Sequence, residues 1–177
     1  MRMSAVSIAL AAMCAGSIAA ASAARPMLKP DLEGVSFLVG RWDSGEGKVL
    51  DVGGVSKGSV EITAEANGEA LLSRAHTDVF DAKGKPLQSF DQILLIFPEA
   101  GTLRAVYSDG QHVIHYTAAS VAPGKSVTFT SAANGGPVFT LRYEMKPPDT
   151  LAITFGITPP GESAFHPIAV GTLKKRS

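Results

Sequence analysis

Four histidines, three tyrosines, one tryptophan and one cysteine are the residues in this 177-residue chain whose chemistry is most distinctive. Their spacing excludes more than it permits. His112-Val113-Ile114-His115 looks like a chelating pair, but a spacing of three brings two imidazoles together only on a helix. On a strand, His112 shares a face with Ile114 and Tyr116, while His115 shares one with Val113 and Thr117. The pair cannot grip one ion, and no other histidine, cysteine or carboxylate group has metal-ligand spacing. Over residues 70–79, Leu72, Arg74, His76 and Asp78 fall on one face and Leu71, Ser73, Ala75, Thr77 and Val79 on the other. If the apolar face is the core, the Arg74 and His76 row is solvated. If instead the row faces a lumen that is polar at one end, Arg74 and His76 meet a ligand's acidic group there, and His112 and Tyr116 either join them or form a buried pair that satisfies each other. Trp42 is either an aromatic plug at the base of that lumen or a ligand contact. The candidate binding set is therefore Trp42, Arg74, His76, His112 and Tyr116, with His166 at the start of the last strand.

Two motifs fail on their surroundings. Gly54-Val55-Ser56-Lys57-Gly58 has the nucleophile-elbow pattern, which needs a helix after the serine to expose its hydroxyl on a strained turn. Here strand-like alternation follows, and the glycines read as a hairpin loop. Gly124-Lys125-Ser126 matches the end of a phosphate-binding loop, but Ala119 stands where the leading glycine belongs and a strand follows. Paired carboxylates, an elbow serine, a thiolate and a metal cluster are all missing as signals of catalysis, so a binding protein is expected rather than an enzyme.

The elements that must position these residues are strands. Val60, Ile62, Ala64 and Ala66 alternate with Ser59, Glu61, Thr63 and Glu65, the pattern of a half-buried strand. Leu71 to Val79 alternates too, and Leu87 to Phe97 ends apolar on both faces. Asp109-Gly110 and Asn134-Gly135 suit hairpin turns that need positive φ. Pro98-Glu99-Ala100-Gly101, Ala122-Pro123-Gly124, Pro147-Pro148-Asp149 and Pro159-Pro160-Gly161 mark further turns between runs rich in valine, threonine and aromatics. Nine or ten strands joined by short loops predict an antiparallel meander that closes into a barrel or folds into a sandwich, and an up-and-down β-barrel of about ten strands is the one expected. The exception is a short helix at 31–39, capped by Asp31, carrying Leu32, Val35 and Leu38 at spacing three and ended by Gly40.

Residues 1–23 read as a secretory signal peptide: Arg2, an uncharged small and apolar run, and an Ala21-Ser22-Ala23 cleavage site. A leader at 24–30 and a single barrel domain at 31–177 follow. Cys14, the only cysteine, leaves with the signal, so the mature chain has no disulfide and no thiolate chemistry. The expected location is the periplasm or the exterior, with no stable membrane anchor after cleavage. Lysines and arginines equal aspartates and glutamates at 16 each, and without a basic stripe nucleic acid is not an expected partner. The oligomeric state is left open.

The opening Leu38-Val39-Gly40-Arg41-Trp42, with Gly45 and Gly47 after it, resembles the Gly-x-Trp signature of calycin-type barrels, the group containing lipocalins and fatty-acid-binding proteins. It is most similar to exported lipocalin-like bacterial domains of uncharacterised function and, more distantly, to nitrobindin-like haem barrels. The first resemblance implies a small apolar or amphipathic ligand inside the barrel and no cofactor. The second implies haem held by a late histidine, to which His166 would answer, and chemistry on nitrogen oxides or peroxide. Beyond Gly47 the nitrobindin pattern lapses, since no Tyr-Pro pair follows. A third reading is a barrel filled by its own side chains that acts through protein partners.

Overall fold

The computed structural model describes residues 27–176, so the signal segment, its cleavage site and Cys14 lie outside the described residues. Ten strands run up and down in chain order: β1 (Gly40–Val49), β2 (Gly54–Glu65), β3 (Ala70–Phe80), β4 (Pro86–Glu99), β5 (Thr102–Ser108), β6 (Val113–Ala122), β7 (Ser126–Ser131), β8 (Val138–Lys146), β9 (Thr150–Thr158) and β10 (His166–Lys175). Each pairs with its neighbours in sequence, and β1 closes the barrel against β10 through Trp42↔Lys175 to Val49↔Ala169. Closure leaves no edge strand among the described residues for another chain to extend. The turn chemistry accounts for the tight connections. Gly110, Asn134 and Gly135 all have positive φ, and the Asp109 carboxylate accepts the amides of Gln111 and His112 at 2.9 and 2.7 Å.

The lower end is sealed by the N-terminal segment, which is built differently from the expected single helix. α1 (Pro30–Glu33) is one turn, capped by Lys29 with no side-chain bond, and a separate 3₁₀ turn covers Ser36–Leu38. Asp31 therefore lies inside the helix and does not cap it. The break falls at Gly34, whose carbonyl accepts the Gly124 amide at 3.0 Å. A Cβ at Gly34 would lie 3.2 Å from Val121 Cγ1, so contact with the β6–β7 loop shapes the segment there. The spacing of the apolar residues survives the break: Leu32, Val35 and Leu38 are all fully buried in the barrel base.

Period two decides what faces in. On β3, Leu71, Ser73 and Val79 are buried while Arg74 and His76 are exposed. Leu94 and Ile96 on β4, Ile114 and Tyr116 on β6, and Leu141 and Tyr143 on β8 also face inward. The outer wall carries ion pairs, Arg41–Glu61 at 2.8 Å and Arg142–Glu144 at 3.4 Å among them. The same wall also exposes Ile93, Leu95 and Val113. No helix among the described residues is long and apolar enough to cross a membrane.

Candidate functional site

Above the sealed base the barrel is hollow. The cavity has a volume of about 860 Å³ and opens at the end bounded by Asp51, Val52, Leu87, Asp109 and His112. That volume lies within the usual range for small-molecule sites. Its origin is an imbalance of side-chain size around the wall. Inward positions on β10, β1, β2 and β3 are small: Ala169, Gly171, Ser44, Gly47, Ser56, Gly58, Ala75 and Thr77. Facing them are large residues, including Phe139, Leu141, Tyr143, Ile153 and Phe155 on β8 and β9. Phe139 and Phe155 stack with centroids 6.2 Å apart. Side chains fill the base but not the upper lumen.

Gly47 sits where β1 is irregular, between its regular pairings at Asp43↔Ser59 and Lys48↔Val55. A Cβ there would come within 2.8 Å of the Ser56 carbonyl oxygen. The second glycine after the tryptophan thus serves a close approach of β1 to β2, and any larger residue would push that wall apart.

All three of the chain's tyrosines, Tyr107, Tyr116 and Tyr143, line this cavity. Burial pushes each phenol above its ordinary range, and the neighbouring Tyr143 adds to the effect at Tyr107 and Tyr116. They are neutral hydrogen-bonding groups at neutral pH. Tyr107 donates to Asp109 Oδ2 at 3.3 Å, and Gln92 Nε2 donates to Thr77 Oγ1 at 2.8 Å. Tyr116 and Tyr143 have no hydrogen-bond partner among the described residues, although both are more than nine-tenths buried.

Asp109 organises the mouth. Burial pushes its pKa up, but the His112 and Gln111 amides and the His112 imidazole outweigh that and hold the carboxyl down at about 2. A carboxylate lowered from its ordinary value of 3.8 contributes stability above that value, and loses it as pH falls through about 2. Asp109→Ala removes the acceptor for two turn amides and is expected to cost about 1 kcal/mol at pH 7, as losing a helix cap does. Urea melts of wild type and variant should converge as pH falls towards 2; a gap independent of pH would show that the carboxylate's charge plays no part.

The expected binding residues are not gathered in the lumen, and Trp42, Arg74 and His76 all border an outer cleft of about 520 Å³. Tyr116 is in the cavity wall and His112 is at its mouth, with its side chain 70% exposed and Nδ1 3.2 Å from Asp109 Oδ2. Trp42 lies beneath the cavity in the packed base, fully buried, and donates from Nε1 to the Leu38 carbonyl at 2.9 Å. It is a plug. Arg74 and His76 take the solvated alternative, both exposed on the outer face of β3, with His76 also bordering the cavity. The inward face of β3 belongs to its apolar and small residues, leaving the charged row to solvent. There Arg74 pairs with Glu65 at 3.6 Å. His76 lies 2.8 Å from Asp91 and 3.4 Å from Asp78, and hydrogen bonding to Asp91 followed by attraction to Asp78 raises its affinity for a proton against some desolvation.

His166 begins β10 as expected but lies outside the cavity lining, half exposed, with Nε2 2.9 Å from Glu162 Oε2. A haem in the lumen would find no buried imidazole, since His76 points outward and His112 is engaged at the mouth. The residues present do not fit an axially ligated haem. Gly54-Val55-Ser56-Lys57-Gly58 belongs to β2 and is not the hairpin loop that its glycines suggested. Ser56 sits in the cavity wall among strands, without the following helix that a nucleophile elbow requires.

No protein-family profile and no curated protein matches the chain. Among solved structures, it is similar to a de novo designed fluorescence-activating β-barrel and to the protein described as EF1p2_mFAP2b bound to DFHBI. Each has a TM-score of 0.43 and 12% identity, covering 81% of this chain and 98% of the other.

Proposed function

We propose that this protein is an exported binding protein that takes a small, largely apolar molecule into the open end of its barrel. The observation that carries this reading is the cavity itself: about 860 Å³, open to solvent, with a mainly apolar wall. Enclosing apolar ligand surface there stabilises the complex at about 25 cal/mol per Å² removed from water. The signal-like sequence at 1–23 supports export, and the Gly40-Arg41-Trp42 opening supports a calycin-type assignment. A barrel filled by its own side chains is less consistent with a lumen whose inward glycine, alanine and serine positions leave it hollow.

The reading includes no cofactor, and haem added to the purified protein is expected to give no saturable Soret band. Native mass spectrometry of protein isolated from its own host is the direct test. A co-purifying small molecule released by organic extraction is the expected result. Protein that is always ligand-free, and that excludes neutral apolar dyes from its interior, would overturn the proposal.

A further inference from the structure

We infer that the cavity selects a neutral, apolar molecule bearing a carbonyl-type oxygen, which accepts hydrogen bonds from the Tyr116 and Tyr143 phenols. This inference rests on the binding reading above and adds the chemical class of the ligand. Tyr116 on β6 and Tyr143 on β8 are 2% and 7% exposed, face the cavity and have no hydrogen-bond partner among the described residues. Among the described residues Arg104 Nε is the one fully enclosed side-chain polar atom without a hydrogen-bond partner, so these two hydroxyls open onto the lumen, free of protein partners and available to whatever occupies it. An acceptor oxygen delivered by a ligand takes up that bond in an apolar setting, where it counts for more. Tyr107 cannot serve equally, because its hydroxyl is already given to Asp109.

Neutrality follows from the charges around the site. Lys57 contributes to the cavity boundary, but its ammonium lies over the Phe80 ring on the outer wall, 5.9 Å from the centroid. His76 is likewise turned outward to Asp91, and His112 is engaged by Asp109 at the mouth. Among the described residues, no cation is therefore aimed into the lumen to pair with a bound carboxylate. The ionised Asp109 also faces an entering anion with a like charge. A ketone, aldehyde, ester or amide oxygen matches two phenol donors without needing a counter-ion.

Prodan, a neutral fluorescent naphthyl ketone, tests this beside its parent dimethylaminonaphthalene, which lacks the ketone, and the corresponding naphthoate. Prodan should bind saturably and more tightly than the parent, with the naphthoate weakest. Tyr116→Phe and Tyr143→Phe keep the ring packing, including the Tyr116–Phe129 contact at 6.1 Å. Each should weaken prodan roughly three- to tenfold, the worth of one hydrogen bond, while leaving the parent unchanged. Emission from bound prodan should shift blue in each variant as its carbonyl loses a donor, a signature that a general loss of folding does not produce. If prodan and its parent bind alike and both variants leave prodan unchanged, the acceptor inference fails while the cavity reading stands. Tightest binding by the naphthoate would overturn neutrality. If none of the three binds, the cavity reading fails and the inference with it.

Discussion

Trp42→Ala should remove roughly 3–5 kcal/mol of stability, the usual cost of deleting a fully buried large aromatic. For a domain of this size that corresponds to a melting temperature lower by about 6–20 °C. Three losses act together. The indole is fully buried among Leu32, Val35 and Leu38, so its removal leaves a void in the base that close-packed neighbours fill only in part. The Leu38 carbonyl loses the indole donor at 2.9 Å. The Lys175 ammonium, 5.4 Å from the ring centroid, loses its cation–π partner. The last is the smallest, since Lys175 is exposed, and Lys175→Ala alone should cost no more than about 1 kcal/mol. Because Trp42 is the only tryptophan, far-ultraviolet circular dichroism rather than fluorescence should follow the melts. A loss below about 1 kcal/mol would mean that the N-terminal segment is not cooperatively part of the barrel, against the packing described.

That base shows how far the sequence reaches. Leu32, Val35, Leu38 and Trp42 are legible as an apolar cluster because a spacing of three, followed by a large aromatic before the first strand, has few other uses. The break at Gly34 is not legible, because it comes from contact with Val121 and Gly124, nearly ninety residues further along the chain. The strands are legible for a similar local reason. Alternation and Asp-Gly or Asn-Gly turns act over a few residues, and nearest-neighbour pairing then sets the up-and-down order. Closure of β1 on β10 depends on the stagger summed over all ten strands, which no local pattern states.

The site is harder to read because period two gives the two faces of a strand without saying which is inside. On β3 the correct choice follows the side with Leu71 and Val79, so Arg74 and His76 belong to solvent. The same rule applied to β5 and β8 puts Tyr107 beside Leu103 and Ala105, and Tyr143 beside Leu141. Parity therefore suffices to assemble the tyrosines on the inner face. What parity does not provide is the empty space between them, which arises only when small residues on β10 and β1–β3 meet large ones across the closed barrel.

Ala75→Trp tests that space directly. Ala75 pairs with Val60 on β2 and Gln92 on β4, and all three line the cavity. In a packed core this exchange would force displacements costing about 1–3 kcal/mol or more. Here the indole has open volume to enter, so stability should stay within about 1 kcal/mol of wild type. It should also occupy the region where prodan's ring system would sit, weakening prodan on the order of a hundredfold, ~2.7 kcal/mol. Arg74→Ala changes the adjacent residue, but on the outer wall, and should leave binding as it was. The two substitutions are one position apart in the chain and on opposite faces of the sheet, so together they locate the ligand. Severe destabilisation by Ala75→Trp would mean a filled lumen. A stable variant with undiminished affinity, together with a loss of binding in Arg74→Ala, would move the site to the charged outer wall.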